Sequence, residues 1–135
     1  MLEEIKEGTS SLLRFGSIKK AKDFAFLRDN SKVFYGREII ILSGSLGDVS
    51  SAVYLGFKIS KKVGNAVHRN RLRRRIKAIM REISISHHSL LPTNQAFVFI
   101  PNKNIICKKY GDIKMLIIKA LSFLHSKKRI RYSKS

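Results

Sequence analysis

The stretch from Lys58 to Glu82 combines a dense positive charge with the spacing of an amphipathic helix, and it constrains the fold more than any other part of the chain. Ten of its 25 residues are Lys or Arg, and only the last is acidic. Like charges at helical spacing repel, so such a helix needs an apolar anchor on its other side. Intervals of four, three and four place that anchor on one stripe, formed by Leu72, Ile76, Ile79 and Ile83. The opposite side carries Arg71, Arg74, Ala78 and Arg81. We therefore predict a docked helix with a cationic outer face.

The charge of the whole chain indicates a polyanionic partner. Among 135 residues, 28 Lys and Arg against 9 Asp and Glu give a formal net charge of +19, which is the electrostatic footprint of a nucleic-acid binder. An anionic membrane surface is the competing interpretation. The apolar side of the basic helix, however, carries Ile and Leu rather than Trp or Phe, and the core needs that side. We predict a nucleic-acid partner and no membrane partner.

The lack of a second cysteine, of a secretory signal and of a membrane-spanning run predicts the compartment of the protein. Cys107 is the sole cysteine, so no internal disulfide can form, which fits a reducing cytosol. No secretory signal is visible at the amino terminus, and no apolar run approaches the roughly 20 residues that span a bilayer. We expect a cytoplasmic protein. Composition and charge further predict a flexible lead-in over residues 1–12, a single RNA-binding domain over residues 13–125 and a basic, disordered tail over residues 126–135.

Periodicity predicts six elements in the order α-β-β-α-β-α, an α+β fold with helices packed in a second layer on a small mixed sheet. Besides the basic helix, they are a helix over Ile18–Arg28 capped by Ser17, strands over Val33–Ser43, Ser51–Ile59 and Gln95–Ile100, and a helix over Lys109–His125. The short loop between the first two strands favours an antiparallel pair, and the strands flanking the basic helix form a βαβ unit that can be parallel. One face of the second strand is expected to stay open to a ligand, with backbone accessible at Gly56.

The beginning of the basic helix has the features of a phosphate-binding site. We predict that the basic helix begins near Gly64 or Asn65, whose side chain is a good N-cap, and that it ends near Ile83–Ser86. Lys61 and Lys62 precede this start, so two ammonium groups, exposed backbone N–H groups and the positive end of the helix dipole converge there. One turn further on, the triplet Arg69-Asn70-Arg71 offers two guanidinium groups around an amide. These groups can clamp phosphate oxygens while the amide reads a base edge or a 2′-hydroxyl. The later cations either extend this track or form a solvated face.

No catalytic constellation stands out in the sequence. The nine acids are dispersed and form no close pair of the kind that two-metal chemistry needs. His68 has no second group that would make it a general acid or base, so we interpret it as a bystander or an RNA contact. His87 and His88 are adjacent, which seldom allows both to chelate one ion, and we predict no metal site in the protein.

The segment LGFKISKKVGNAVHRNRLRRRIKAIMRE, Leu55–Glu82, resembles the signature of the protein component of bacterial ribonuclease P, with its Ser-Lys-Lys-x-Gly-Asn-Ala-Val core and Arg-Asn-Arg triplet. The elements before and after it agree with that family, so the resemblance covers nearly the full chain. It implies a ribosomal protein S5 domain 2-like fold with a left-handed βαβ crossover, against the usual preference. It also implies that a separate catalytic RNA uses Mg²⁺ to hydrolyse precursor tRNA and release the 5′ leader. The protein would strengthen substrate binding and metal use, and no small-molecule substrate is implied.

The resemblance further implies roles for individual residues. Contacts with the catalytic RNA, or a place near the cleavage region of the substrate, are implied for Lys61, Lys62, Asn65, Arg69, Asn70, Arg71 and Arg74. A cleft between the first helix and the sheet would hold the single-stranded leader by stacking, and its residues are Phe24, Arg28 and Lys58. The chain departs from the family pattern at four positions. Arg28 replaces a second aromatic residue and Leu42 replaces a Tyr, so we expect weaker leader stacking, and Tyr54 and Ile100 each replace an Arg.

Two other functions remain open from the residues themselves. A noncatalytic basic RNA-binding or ribosome-associated protein would carry the same charge without a part in cleavage. A self-sufficient nuclease built around His68 would cleave precursor tRNA with Mg²⁺ and no RNA cofactor. The leading hypothesis, a subunit of an RNA-based endoribonuclease, predicts that the protein alone is inactive.

Overall fold

The computed structural model describes residues 14–46, 52–92 and 94–126, in which five strands form one mixed sheet with three α-helices packed against it. The strands are β1 (Arg14–Ser17), β2 (Lys32–Tyr35), β3 (Ile39–Gly44), β4 (Ala52–Phe57) and β5 (Ala96–Pro101), and the helices are α1 (Ala21–Asp29), α2 (Ala66–Ser86) and α3 (Tyr110–Ser126). The strand order is β1-β4-β5-β3-β2. β1 with β4 and β4 with β5 are parallel pairs, and the other two pairs are antiparallel. The predicted α+β class with a mixed sheet is confirmed.

The strands divide their apolar residues between two clusters, one on each face of the sheet. Ile41 of β3 belongs to a core shared with α2 and α3, whereas its neighbour Leu42 belongs to a smaller cluster with Leu27 of α1. Successive side chains of a strand point to opposite faces, so α1 adds a partial third layer to the predicted two. The anchor stripe of α2 is confirmed, because all four of its residues are buried. Met80 is fully buried beside them and was not predicted.

The chain before α1 pairs with β4 instead of capping a helix. β1 runs parallel to β4, and the N–H of Ile18 continues this pairing by donating to the Leu55 carbonyl oxygen at 2.9 Å. Because the sheet uses that N–H, the helix begins at Ala21, with Lys20 as its N-cap residue and no side-chain capping bond. The capping role predicted for Ser17 is therefore wrong. A four-residue strand such as β1 is too short to show a period, so the sequence did not predict it.

The single strand predicted over Val33–Ser43 is a hairpin of β2 and β3. Gly36 lies in its turn and donates to the Ile39 carbonyl oxygen at 2.9 Å. A Cβ atom on Gly36 would lie 2.8 Å from that same oxygen, so the turn leaves no room for a side chain. The antiparallel pair predicted between the first two strands is also wrong, because β5 lies between β3 and β4. The parallel pairing of β4 with β5 across α2 is confirmed, while the handedness of this crossover stays a prediction.

Both long helices lie within about one residue of their predicted bounds. α2 follows Asn65 as expected, and α3 spans Tyr110–Ser126 against the predicted Lys109–His125. The predicted lead-in, residues 1–12, and residues 127–135 of the predicted tail lie outside the described residues. Within the part of the chain that the structure describes, no helix is long and apolar enough to cross a membrane.

Candidate nucleic-acid interface

A short 3-10 turn, Lys61–Val63, leads into α2 and presents two lysines to solvent. Ser60 Oγ accepts a hydrogen bond from the Lys62 N–H at 3.2 Å, and the Gly64 N–H donates to the Lys61 carbonyl oxygen at 3.2 Å. Val63 is buried and anchors the turn, whereas Lys61 and Lys62 are exposed. The backbone of the two lysines is thus held in place while both ammonium groups stay available to an anion.

Gly64 and Asn65 fix the direction in which α2 starts. The backbone of Gly64 has φ +155° and ψ −176°, a region that is essentially restricted to glycine. A Cβ atom there would also lie 2.9 Å from the Cβ atom of His68. Asn65 Oδ1 accepts a hydrogen bond from the His68 N–H at 3.0 Å, which confirms the predicted helix cap. Because capping uses the oxygen of Asn65, its amide nitrogen is the part of the side chain that can donate to a ligand.

The Arg-Asn-Arg triplet is spread around α2 instead of lying on one face. Successive residues of an α-helix are about 100° apart, so Arg69 and Arg71 point to nearly opposite sides. Arg69 Nε lies 3.5 Å from the Asn65 carbonyl oxygen, and Asn70 Oδ1 accepts a hydrogen bond from Arg73 Nη1. Each of the two arginines therefore faces a different part of any bound polyanion, and their predicted contacts with phosphate oxygens stay a prediction.

The cations at the start of α2 have no acidic partner among the residues that the structure describes. Within the described parts of the chain, no carboxylate lies within 4.0 Å of the side-chain nitrogens of Lys61, Lys62, Arg69, Arg71 or Arg74. All five are at least partly exposed. No carboxylate of the described residues therefore relieves their mutual repulsion, which is typical of a surface that binds a polyanion.

Phe24 and Lys58 lie together between α1 and the sheet. The ring of Phe24 packs on Gly56 of β4, where an added Cβ atom would be 2.8 Å from Phe24 Cε1. Lys58 Nζ lies 5.1 Å from the centroid of the same ring, which is a cation–π distance. The backbone accessibility expected at Gly56 is wrong, because Phe24 and Ile18 cover it. The half-buried ring with an ammonium group beside it suits a stacked base and its phosphate.

Arg28 does not join this pair. It lies one turn after Phe24 on α1, but its side chain is 67% exposed and its Nε lies 3.9 Å from Asp29 Oδ1. An exposed pair of this length is weak. The structure therefore brings together two of the three residues predicted for the leader cleft.

Three positions where the chain departs from the family pattern lie in the apolar cluster beside α1. Leu42 is buried there, and Tyr54 and Ile100 are half-buried against it. The ring of Tyr54 also covers Gly16 of β1, where an added Cβ atom would lie 2.8 Å from the ring. These side chains extend the apolar wall around Phe24, so the departures at Tyr54 and Ile100 exchange a charge for packing.

Two cations in the second half of α2 lie over aromatic rings. Lys77 Nζ is 5.9 Å from the ring centroid of Phe57, and Arg81 Cζ is 6.0 Å from that of Phe15. These distances are at the outer limit of cation–π attraction. Phe57 belongs to β4 and Phe15 to β1, so the pairs connect α2 to one edge of the sheet. Sequence reasoning missed both pairs, since their partners are far apart along the chain.

Glu82, the only acid of α2, forms a small network with α3. Tyr110 Oη donates to Glu82 Oε2 at 2.7 Å, and Lys114 Nζ lies 2.9 Å from Glu82 Oε1. The hydrogen bond from Lys114, followed by that from Tyr110, lowers the pKa of the Glu82 carboxyl. Desolvation, followed by the bond to Glu82, raises the pKa of Tyr110. The network joins the two long helices, and no sequence pattern indicated it.

Metal-ligating groups are scattered in the described residues. No group of three or more His, Cys, Asp or Glu side chains that could hold a metal ion occurs within residues 14–46, 52–92 and 94–126. The donor set of this chain therefore does not fit a Mg²⁺ site of its own there.

Comparison with known proteins identifies the family. The family model described as ribonuclease P matches residues 12–124. The chain belongs to the ribonuclease P protein family. One relative, the ribonuclease P protein component of Streptococcus thermophilus, is 31% identical over 104 residues, which cover 77% of this chain and 87% of that protein. The chain is thus a protein subunit of ribonuclease P and has a part in tRNA processing.

Solved structures agree with this assignment at the level of the fold. A Staphylococcus aureus RNase P protein mutant, described as having defective mRNA degradation activity, aligns with a TM-score of 0.67 at 22% identity, covering 79% of this chain and 86% of that one. The RNase P protein of Thermotoga maritima aligns with a TM-score of 0.64 at 18% identity, covering 83% and 97%. At these identities the likeness shows a shared fold.

Proposed function

We propose that this subunit is noncatalytic, and that it binds the catalytic RNA of ribonuclease P through the start of α2 and the 5′ leader of precursor tRNA through the cleft beside α1. The observation that carries the proposal is a set of cations at the start of α2 that have no carboxylate partner in residues 14–46, 52–92 and 94–126. Gly64 and Asn65 fix the backbone of that helix start. A helix amino terminus and nearby ammonium groups together favour phosphate. The chain would thereby assist Mg²⁺-dependent removal of the leader, which gives the mature 5′ end of the tRNA.

The division of labour follows from the residues available. A phosphate that binds Lys61, Lys62 or Arg74 has its negative charge neutralised. The phosphates of the catalytic RNA and of the substrate then repel each other less, so the two RNAs can associate at a lower concentration of Mg²⁺. Mg²⁺ bound by the RNA would supply the activated water and stabilise the leaving oxygen. The protein's own contribution is then binding and orientation.

The leader would enter beside α1 as a single strand. A base can stack on the exposed side of the Phe24 ring while Lys58 contacts the adjacent phosphate, a combination that is tolerant of sequence. Arg28 points into solvent near the same helix face, where it can contact a phosphate but offers no second aromatic platform. We infer that leader binding relies on one ring and on charge.

Reconstitution with a ribonuclease P RNA tests the proposal. At low Mg²⁺ the protein should stimulate cleavage of precursor tRNA by the RNA, and the protein alone should leave the substrate intact. A protein that binds structured RNAs comparably and leaves the turnover of the RNA unchanged would instead be a general RNA-binding or ribosome-associated protein. Cleavage by the purified protein alone, abolished by His68→Ala, would establish a self-sufficient nuclease and refute the proposal.

A matched pair of variants tests the location of the RNA contact. Arg69→Ala and Lys119→Ala each remove one positive charge, the first at the start of α2 and the second at an exposed position of α3. If Arg69 contacts a phosphate, its loss should lower the slope of log affinity against log salt by about one. Lys119→Ala should leave that slope unchanged. Equal effects of the two variants would mean that only net charge matters.

The cytoplasmic location expected from the sequence is part of the same proposal, and RNA copurification from the cytosolic fraction tests it.

A further inference from the structure

A cavity of about 230 Å³ lies beside the start of α2, between that helix, the 3-10 segment Lys103–Cys107 and the first turn of α3. Its floor is apolar and consists of residues at most 7% exposed: Val63, Leu72, Ile105 and Ile113. Its rim carries His68, Arg71, Arg75, Ile106 and Lys108. An apolar floor beneath a ring of cations is not a feature that packing of the core requires.

The wall opposite α2 is held in place by local hydrogen bonds. Asn102 Oδ1 accepts from the Asn104 N–H at 2.8 Å, and the Lys108 N–H donates to the Ile105 carbonyl oxygen at 3.0 Å. Ile105 is buried by this arrangement, whereas the next residue, Ile106, is 58% exposed. A large apolar side chain therefore stands at the mouth of the cavity beside the cations.

The charges on the rim differ in what they contact. Lys108 Nζ lies 3.3 Å from Glu38 Oε2, so its charge is partly neutralised within the fold. Arg71 and Arg75 have no carboxylate within ion-pair distance in the described parts of the chain. The backbone of His68 is fixed by the Asn65 cap, and its side chain packs beside Gly64. The rim thus combines a positioned aromatic ring with two unpaired guanidinium groups.

We propose that this cavity receives a single unpaired nucleobase of the RNA partner. The base contacts the apolar floor and the planar side chains of His68 and Arg71, and its flanking phosphate pairs with Arg71 or Arg75. Proteins read unpaired bases by stacking them on aromatic rings, His included, and on guanidinium planes. The volume is below the roughly 300 Å³ at which pockets for drug-sized ligands begin, which suits one planar group. This inference rests on the proposed RNA-binding function and gives it a defined subsite.

Charge and shape together favour a nucleobase over other occupants. An acidic peptide would satisfy the two arginines but would bring no planar apolar group to the floor. Inorganic phosphate would likewise leave the floor exposed to water. A paired base would have to lose its pairing and stacking to enter, so the cavity favours a base in a bulge, a loop or a single strand.

Two variants that differ only in position test the subsite in RNA binding. Ile106→Glu places a carboxylate at the mouth, whereas Ile85→Glu places one at a similarly exposed position, 61%, roughly 25 Å further along α2 from His68. Both change the net charge equally, and both should keep the melting temperature of the wild type. Ile106→Glu should weaken binding to ribonuclease P RNA about tenfold or more relative to Ile85→Glu, the size expected for loss of one stacked base. Equal weakening would overturn the subsite while leaving the proposed function intact.

The identity of the occupant is tested on the free, full-length protein. Adenosine 5′-monophosphate, inorganic phosphate and a hexaglutamate peptide are titrated while the amide resonances of His68 and Ile106 are followed. The nucleotide should shift both resonances in the wild type, and in Ile106→Glu it should shift neither the His68 amide nor the amide of the substituted residue 106. Equal shifts with inorganic phosphate, or larger shifts with the peptide, would overturn the nucleobase proposal. Because this assay contains no ribonuclease P RNA, its failure is distinguishable from failure of the reconstitution.

His68 variants separate stacking from charge. His68→Ala should lose the nucleotide-induced shift at Ile106, and His68→Phe, which keeps a flat ring without a titratable group, should restore it. If His68→Phe behaves like His68→Ala, the ring does not stack on a base, and this part of the inference is wrong.

Discussion

Replacing Gly64 with alanine should weaken both the fold and the RNA contact. Gly64 occupies a backbone region that only glycine adopts readily, and an added Cβ atom would lie 2.9 Å from Cβ of His68. Relief requires either rotation of the backbone or displacement of the first turn of α2. Either movement changes where Lys61 and Lys62 stand relative to the amino terminus of the helix.

The backbone strain sets the expected loss of stability. A residue forced into a sparsely populated backbone region costs of the order of 1–3 kcal/mol. Small domains are stable by about 5–15 kcal/mol, so the variant should remain folded. With a urea dependence of about 1–3 kcal/mol per molar, the midpoint of unfolding should fall by roughly 1 M.

The assay is urea unfolding, with Gly111→Ala as the control. The concentration of sulfate is held fixed, because an anion that binds the folded protein raises its apparent stability. Gly111 lies in the first turn of α3, and an added Cβ atom there meets no other atom within 4 Å. Alanine at that position should leave stability unchanged or raise it by up to about 1 kcal/mol, because glycine is the poorer helix former. Affinity for ribonuclease P RNA should fall for Gly64→Ala alone.

Two results would refute this reasoning. If Gly64→Ala unfolds at the same urea concentration as the wild type, the backbone of Gly64 is not restricted as described. If it unfolds earlier but binds RNA with unchanged affinity under conditions where it is fully folded, the geometry of the turn does not position the phosphate contacts. The second result would leave charge alone as the source of affinity.

Three further predictions concern other parts of the site. Asn65→Ala should lower stability by about 1 kcal/mol in urea unfolding, because it removes the cap of α2. Phe24→Ala should weaken binding of precursor tRNA by about 1–3 kcal/mol but leave a leaderless tRNA unaffected. Phe26→Ala, which removes a ring that is 48% exposed on the same helix, should change neither affinity. Glu82 has a lowered pKa in the folded state, so its contribution to stability is present above its unfolded pKa and is lost as pH falls through the folded one. Glu82→Gln should therefore reduce stability at pH 7 and flatten its loss in acid, and parallel acid unfolding curves would contradict this.

Local features of the sequence predicted α2 almost completely. Its apolar stripe repeats over three turns, and Asn65 is a favourable N-cap, so both the face and the start of the helix follow from residues close in the chain. Exposure of Arg71 follows from the same periodicity, whereas Lys61 and Lys62 lie in the 3-10 turn before the helix. The same periodicity also implies that Arg69 and Arg71 lie on different sides of the helix, since residues two apart do not share a face.

The order of the strands could not be predicted in the same way. β5 is the last strand in sequence, yet it lies between β3 and β4, and nothing in the residues near β3 indicates this neighbour. The turn at Gly36 was a visible signal that the apolar runs on either side outweighed. For the same reason the cleft was predicted only in part, because Gly56 and Phe24 meet through tertiary packing.

The cations of α2 serve two purposes that composition cannot distinguish. In the second half, Lys77 and Arg81 lie over aromatic rings of the sheet edge, so part of their charge acts within the fold. In the first half, the cations have no carboxylate partner in the described residues, and Gly64 and Asn65 hold their backbone in one geometry. Mobile counterions screen the repulsion among these fixed charges only in part, and a polyanion whose phosphates match their spacing relieves it further. A high net charge therefore indicates a nucleic-acid partner, while the position of the unpaired charges along the helix decides where that partner binds.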